Sequence, residues 1–114
     1  MRMWMVDPKL LCRKHLLGAH GELHKFRHSF VKQHKMGGYR RLIFPRYMKQ
    51  RHDELAAEMV RRGYNHKSQY EQPDVEYLPV DMLNDDPSDY IEFNLNDLTN
   101  RCQECKQRIE GDTQ

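Results

Sequence analysis

Leu16, Ala19, Leu23, Phe26 and Phe30 recur at spacings of 3, 4, 3 and 4, the repeat of side chains stacked along one face of an α-helix. No alternating pattern persists long enough anywhere to require a sheet. A chain organised around such a stripe buries it by packing helix on helix, so the expected class is all-α. With 114 residues there is material for a single compact domain, 1–114, with a modest core, built from about three helices joined by long loops. No apolar run approaches the roughly 20 residues that a membrane span needs, and the first residues lack the apolar stretch of a secretory signal.

The first helix is expected to start near Asp7, because Asp7-Pro8 reads as a cap followed by the first helical position, and to end at Gly37-Gly38. His15, Gly18, Glu22, Lys25 and Ser29 form the stripe beside the apolar one, so Glu22 sits at the edge of the buried face. Gly18 and Gly21 place no side chain next to Glu22. That permits close approach of another backbone or a ligand, at roughly 1 kcal/mol of helix stability each relative to Ala.

Tyr39 to Pro45 reads as a basic loop anchored by Leu42-Ile43-Phe44. The second helix is expected from about Arg46 to Arg62, with Met48, Leu55 and Met59, joined by His52 and Ala56, facing inward. Arg61-Arg62 in its last turn suits the helix dipole, and Gly63 suits the C-terminal cap. Residues 66–88 contain Pro73, Pro79 and Pro87 and read as a long loop pinned by Tyr70, Tyr77 and Leu78. A third helix is expected from about Asn96 to Ile109, with a tail beyond it open to disorder.

Charge is placed unevenly. Residues 1–67 carry 16 Lys/Arg against 5 Asp/Glu, a difference of +11, and all seven histidines; residues 68–114 carry 3 against 12, a difference of −9. Such a division suits a polyanion-binding surface, and it equally suits two halves that neutralise each other in the fold. Between Arg2 and Lys35 the only acids are Asp7 and Glu22. Asp7 has its capping role; Glu22, taken alone, reads as a carboxylate paired with Arg13, Lys25 or His15.

Cys12, Cys102 and Cys105 are an odd set that fits reduced thiols better than a disulfide framework. Cys102-Gln103-Glu104-Cys105 has the spacing of a metal-ligand pair, but four ligands are needed, and Cys12 with one of the histidines is the only completion available. Two inert thiols on a helix face is the favoured reading, and no metal site is expected. His20, His24 and His28 fall at i, i+4 and i+8, a row that can bind metal but more often faces solvent or phosphate.

Arg2, the block Cys12-Arg13-Lys14-His15-Leu16-Leu17-Gly18, Glu22 and the run from Arg51-His52-Asp53-Glu54-Leu55 to Arg62-Gly63-Tyr64-Asn65, with Asp89-Tyr90-Ile91 further on, together resemble the pyrimidine-dimer DNA glycosylase/AP lyase family of the phage endonuclease V type. The likeness covers residues 1–67 well and 88–110 weakly. It implies a DNA repair enzyme of the bacterial or phage-infected cytoplasm, a monomer acting on double-stranded damaged DNA without cofactor or metal.

The same resemblance implies that a terminal α-amine is the nucleophile. An α-amine has a pKa of about 7.7–8.0 against about 10.4 for lysine, so near neutrality much of it is unprotonated. In the best-known relative the initiator Met is trimmed and a small residue supplies the amine. Here Arg2 is too bulky for that trimming, which makes Met1 the expected nucleophile and Glu22 the catalytic carboxylate. Arg2, His15 and Lys25 are expected to hold phosphates around the lesion, with Arg13, Lys14, Arg40, Arg41, Arg46 and Arg51 as further backbone contacts. Gly21 and Lys25 stand where that relative has DNA-contacting arginines, and its aromatic-rich tail is replaced here by Glu110 to Gln114, departures that bear on the choice of lesion more than on the lyase chemistry. The rival readings are a non-catalytic basic DNA-binding protein, a metal-dependent nuclease using the histidines, and a zinc-stabilised interaction module around Cys102 and Cys105.

Overall fold

The computed structural model describes residues 2–66 and 68–112. Five α-helices carry the fold: α1 Arg13–Val31, α2 Met48–Arg61, α3 Val80–Leu83, α4 Ile91–Arg101 and α5 Gln103–Asp112. Among the described residues the β-pairing is one isolated bridge, Arg40 with Ile43, and the class is all-α as the periodicity requires. α1 lies along α2, and α4 packs on α5. The whole α1 stripe, Leu16, Ala19, Leu23, Phe26 and Phe30, is buried, facing Met48, His52, Leu55, Ala56 and Met59 of α2. Burying a side chain of this size contributes about 1.5–3 kcal/mol, and that gain holds a helix with two internal glycines.

Several boundaries differ from the sequence reading, each for a local reason. Asp7 caps a separate 3-10 turn, Pro8–Leu10, its carboxylate accepting from the Lys9 N–H at 3.0 Å. The chain then extends, and Cys12 is the N-cap of α1, its sulfur accepting from the His15 N–H. α1 ends at Val31, ahead of Gly37-Gly38, because Gln33 turns left-handed at φ 58. A further 3-10 turn, Pro45–Tyr47, precedes α2. Gly63 takes the expected positive φ of 86 after α2. The long loop contains α3, and the single C-terminal helix is two helices, interrupted at Cys102, whose backbone is extended at φ −138 and ψ 114.

Residues 2–6 run through the core without regular secondary structure. A lone irregular segment inside a helical core leaves its backbone groups to find other partners. The Met3 N–H donates to the Leu42 carbonyl at 2.7 Å, and the buried guanidinium of Arg51 donates to the Val6 carbonyl at 2.7 Å and to the Trp4 carbonyl. The loop after α2 is pinned where expected: the Tyr70 hydroxyl donates to the Leu23 carbonyl at 2.9 Å, the Tyr77 hydroxyl donates to the His34 carbonyl, and Leu78 is buried.

Candidate functional site

The opening segment delivers Arg2 to α1. The Arg2 backbone N–H donates to Glu22 Oε2 at 3.4 Å. The Arg2 side chain turns the other way, into α4, where it donates to Asp97 Oδ2 at 2.8 Å and to Asn94 Oδ1. Its guanidinium also lies 3.9 Å from the centroid of the Trp4 ring, a favourable cation–π contact. Glu22 is half-buried and shares a pocket of about 190 Å³ with Trp4, Lys14, His15, Gly18 and Ala19. Among the described residues, a Cβ added at Gly18 or Gly21 would meet nothing within 4 Å, so none of them makes the close approach these glycines allow. The space beside the carboxylate is open to a ligand.

The other expected site residues divide by exposure. Met1 lies outside the described residues. Arg13, Lys14, Lys25 and Arg41 are exposed, with the Arg13 guanidinium 5.4 Å over the Tyr64 ring. Arg40 and Arg46 are exposed but matched by the acidic half: Arg40 with Asp81 at 2.9 Å and Asp85 at 3.5 Å, Arg46 with Glu76 at 2.7 Å. Arg2 and Arg51 are 7% and 2% exposed. A desolvated guanidinium requires fixed partners, and in the structure these two side chains, both expected on phosphates, donate to the opening segment and α4. The cationic surface next to Glu22 is therefore the outer face of α1, with Lys14, Lys25 and Lys32 exposed along it.

Two clusters of metal-ligating side chains flank this corner. In the first, His20 Nε2 lies 3.0 Å from His52 Nε2 and 2.9 Å from His66 Nε2. Of the row at 20, 24 and 28, His28 is exposed, and His20 meets α2 and the loop that follows it. Burial, reinforced by His52, His24 and His66, lowers His20 to about 4, and burial lowers His24 as well. Asp53 Oδ1 sits 3.1 Å from His52 Nδ1, the arrangement that orients a ligating imidazole from behind. Three ring nitrogens converging in this way can hold a metal ion, beside an open depression of about 820 Å³ lined by Lys49, His66 and Tyr70.

The second cluster joins Cys12, His15, Cys102 and Cys105, whose donor atoms all lie within 4.8 Å of one another. Cys102 and Cys105 are not on one face of a continuous helix, because the break at Cys102 turns both toward the head of α1. His15 Nδ1 faces the thiols, 3.2 Å from Cys12 Sγ, rather than standing free as a phosphate contact. A signal for this cluster exists in the sequence: Cys12-x-x-His15 repeats the spacing of Cys102-x-x-Cys105. Asn94 and Asp97 carry no such signal, since they meet Arg2 across 92 and 95 residues of chain.

Residues 1–72 match a family model described as pyrimidine dimer DNA glycosylase. Comparison with curated proteins and with solved structures returned no match.

Proposed function

This chain belongs to the pyrimidine dimer DNA glycosylase family, and from that premise we propose that it excises a damaged base from double-stranded DNA and then cuts the strand as an AP lyase, with a terminal α-amine as nucleophile and Glu22 as catalytic carboxylate. The amine attacks C1′ of the 5′ nucleotide of the lesion and the bond from C1′ to the base breaks; the nitrogen then gives up its protons, the C1′–O4′ bond breaks with O4′ taking a proton, and the ring-opened sugar is held as a Schiff base between the nitrogen and C1′. A carboxylate beside that carbon stabilises the cationic sugar and takes the C2′ proton, and β-elimination then expels the 3′ phosphate. No reacting atom in this scheme is bound to a metal.

The observation that carries the reading is the hydrogen bond from the Arg2 backbone N–H to Glu22 at 3.4 Å. The amine we assign as nucleophile is that of Met1, which is bonded directly to Arg2 in the sequence, so the contact supports pairing it with Glu22. Arg2 keeps the start of the chain there through Asp97, Asn94 and Trp4. Lys14 and Lys25 on the outer face of α1 are the cations we assign to the flanking phosphates, where each contact makes affinity fall as salt rises.

Borohydride trapping tests this directly. Untagged protein incubated with a duplex containing a cyclobutane dimer or an abasic site should be captured as a covalent adduct, and an undamaged duplex should not. Blocking the terminal amine with an acetyl group or an added tag should abolish both trapping and cutting while leaving DNA binding. Full cutting by the blocked protein would remove the nucleophile from the scheme, and binding with no adduct from any damaged duplex would favour the non-catalytic alternative.

A further inference from the structure

The cluster of thiols and imidazole takes no part in the chemistry above, yet four donors from two distant stretches of chain converge in it. We propose that Cys12, His15, Cys102 and Cys105 bind one zinc ion, through three thiolates and His15 Nδ1, and that this structural ion fastens α4 and α5 to the head of α1.

Geometry is the first support. A tetrahedral zinc with Zn–S of about 2.3 Å and Zn–N of about 2.0–2.1 Å has S–S edges of about 3.8 Å and S–N edges of about 3.5 Å. The cluster shows Cys12 Sγ to Cys102 Sγ at 3.8 Å, Cys105 Sγ to His15 Nδ1 at 3.5 Å and Cys12 Sγ to His15 Nδ1 at 3.2 Å. The donors come as two pairs, Cys12-x-x-His15 and Cys102-x-x-Cys105, which is how closed four-ligand zinc sites are commonly assembled.

The surroundings of the sulfurs are the second support. Each sulfur accepts one backbone N–H: Cys105 from Cys12 at 3.2 Å, Cys12 from His15 at 3.4 Å, and Cys102 from Cys105 at 3.5 Å. Backbone N–H groups aimed at the sulfurs are placed to hydrogen-bond and orient metal-bound thiolates. On binding, each cysteine gives up its proton to solvent, and the ion with three thiolates and a neutral imidazole carries a net charge of −1. Soft thiolates in a tetrahedral set select zinc over harder divalent ions.

The fold supplies a reason for the ion. Among the described residues α5 buries only Cys105, and a ten-residue helix is marginal without packing. Its link to the rest of the chain includes a hydrogen bond from Arg108 Nε to the Lys9 carbonyl at 2.9 Å. The extended residue Cys102, where the helix breaks, and the N-cap Cys12 are both ligands, so the interruptions of helical structure serve the site. All four positions are filled by protein, which distinguishes this site from the histidine trio, where three nitrogens leave room for a further ligand. His15 also lines the Glu22 pocket, so the ion would hold one wall of that pocket in place.

Metal content and cobalt spectroscopy test the proposal. Untagged protein purified under reducing conditions should contain zinc, and the content should fall by one ion per chain in Cys102→Ser with Cys105→Ser, whereas His20→Gln should keep that ion. Co²⁺ added to metal-free wild-type protein should give the intense near-ultraviolet sulfur-to-cobalt charge-transfer absorption that nitrogen ligands alone cannot produce, and this reading does not depend on the variants folding. Zinc loading should also shield the thiols from a disulfide reagent until a strong chelator is added. A cobalt spectrum without sulfur charge transfer, zinc content unchanged by the double substitution, or a Cys12–Cys102 disulfide in the reduced preparation would each overturn the assignment. None of these readouts involves DNA, so they stand or fall separately from the lyase reading.

Discussion

Helix α1 has two flanks of opposite character. Glu22 and His20 are two residues apart and so roughly 200° apart around the axis. On the Glu22 flank nothing among the described residues lies within 4 Å of where a Cβ at Gly18 or Gly21 would stand, Lys14 and Lys25 are exposed, and the carboxylate accepts a backbone N–H. On the His20 flank α2 and the following loop close over the helix, bringing His52, His66 and Tyr70 against His20 and His24, and burial with like neighbours lowers His20 to about 4. The periodicity of one helix thus offers both sets of groups, and whatever packs against each flank decides whether they stay open or become enclosed.

The largest expected effect separates the flanks by catalysis. Glu22→Gln should lower strand cutting by about 10²–10⁴-fold, the range of a lost general acid–base group, while DNA affinity stays within a few-fold. His20→Gln should leave cutting within a few-fold of wild type. Equal losses in single-turnover assays of the two variants would break the division of labour drawn here.

Acid stability comes next. An unfolded histidine titrates near 6.5, whereas folded His20, faced by His24, His52 and His66, titrates at about 4. Between those values the unfolded chain binds more protons, so stability is fully present above about pH 6.5 and is lost as pH falls toward 4. Glu58 obeys a separate window: hydrogen bonds from Arg61 and Arg62 lower it from 4.5 to about 2, and its contribution is lost only as pH falls between those values. Denaturant titrations across pH 7 to 4 should show the upper slope in the wild type and a flatter one in His20→Gln; an unchanged slope would remove the histidine cluster as its source.

The smallest effects concern DNA affinity. Lys25→Ala should weaken binding to all duplexes alike and reduce the salt slope by about 1. Arg40→Ala should change that slope less, because Asp81 and Asp85 already neutralise its guanidinium. A salt titration in which Arg40→Ala has the greater effect would move the DNA surface from α1 to the 40–46 loop.

How far the sequence could be read depended on the range of the interaction. The α1 stripe, the inward face of α2 and the turn at Gly63 follow from neighbours within one or two helical turns, and each is where the spacing puts it. Arg51 reads as one more cation in a basic stretch, and only the partnerless segment at residues 2–6 turns it into a buried donor. Arg40 and Arg46 read as cations of the basic half, and only the fold shows the acidic loop paired with them. His66 carries no periodic signal at all, and the helix break that aims Cys102 at Cys12 spans 90 residues of chain.

By itself the sequence determined the helical class and the place of Glu22 at the edge of a buried stripe, because hydrophobic periodicity acts along the chain and 3.6 residues per turn turn spacing into direction. Tertiary structure alone decided the partners: which arginines were spent on carbonyls and carboxylates, which imidazoles lost their charge, and that three thiols and one imidazole should meet. Those outcomes depend on desolvation and on distances between groups far apart in sequence, and both come into being only when the helices pack.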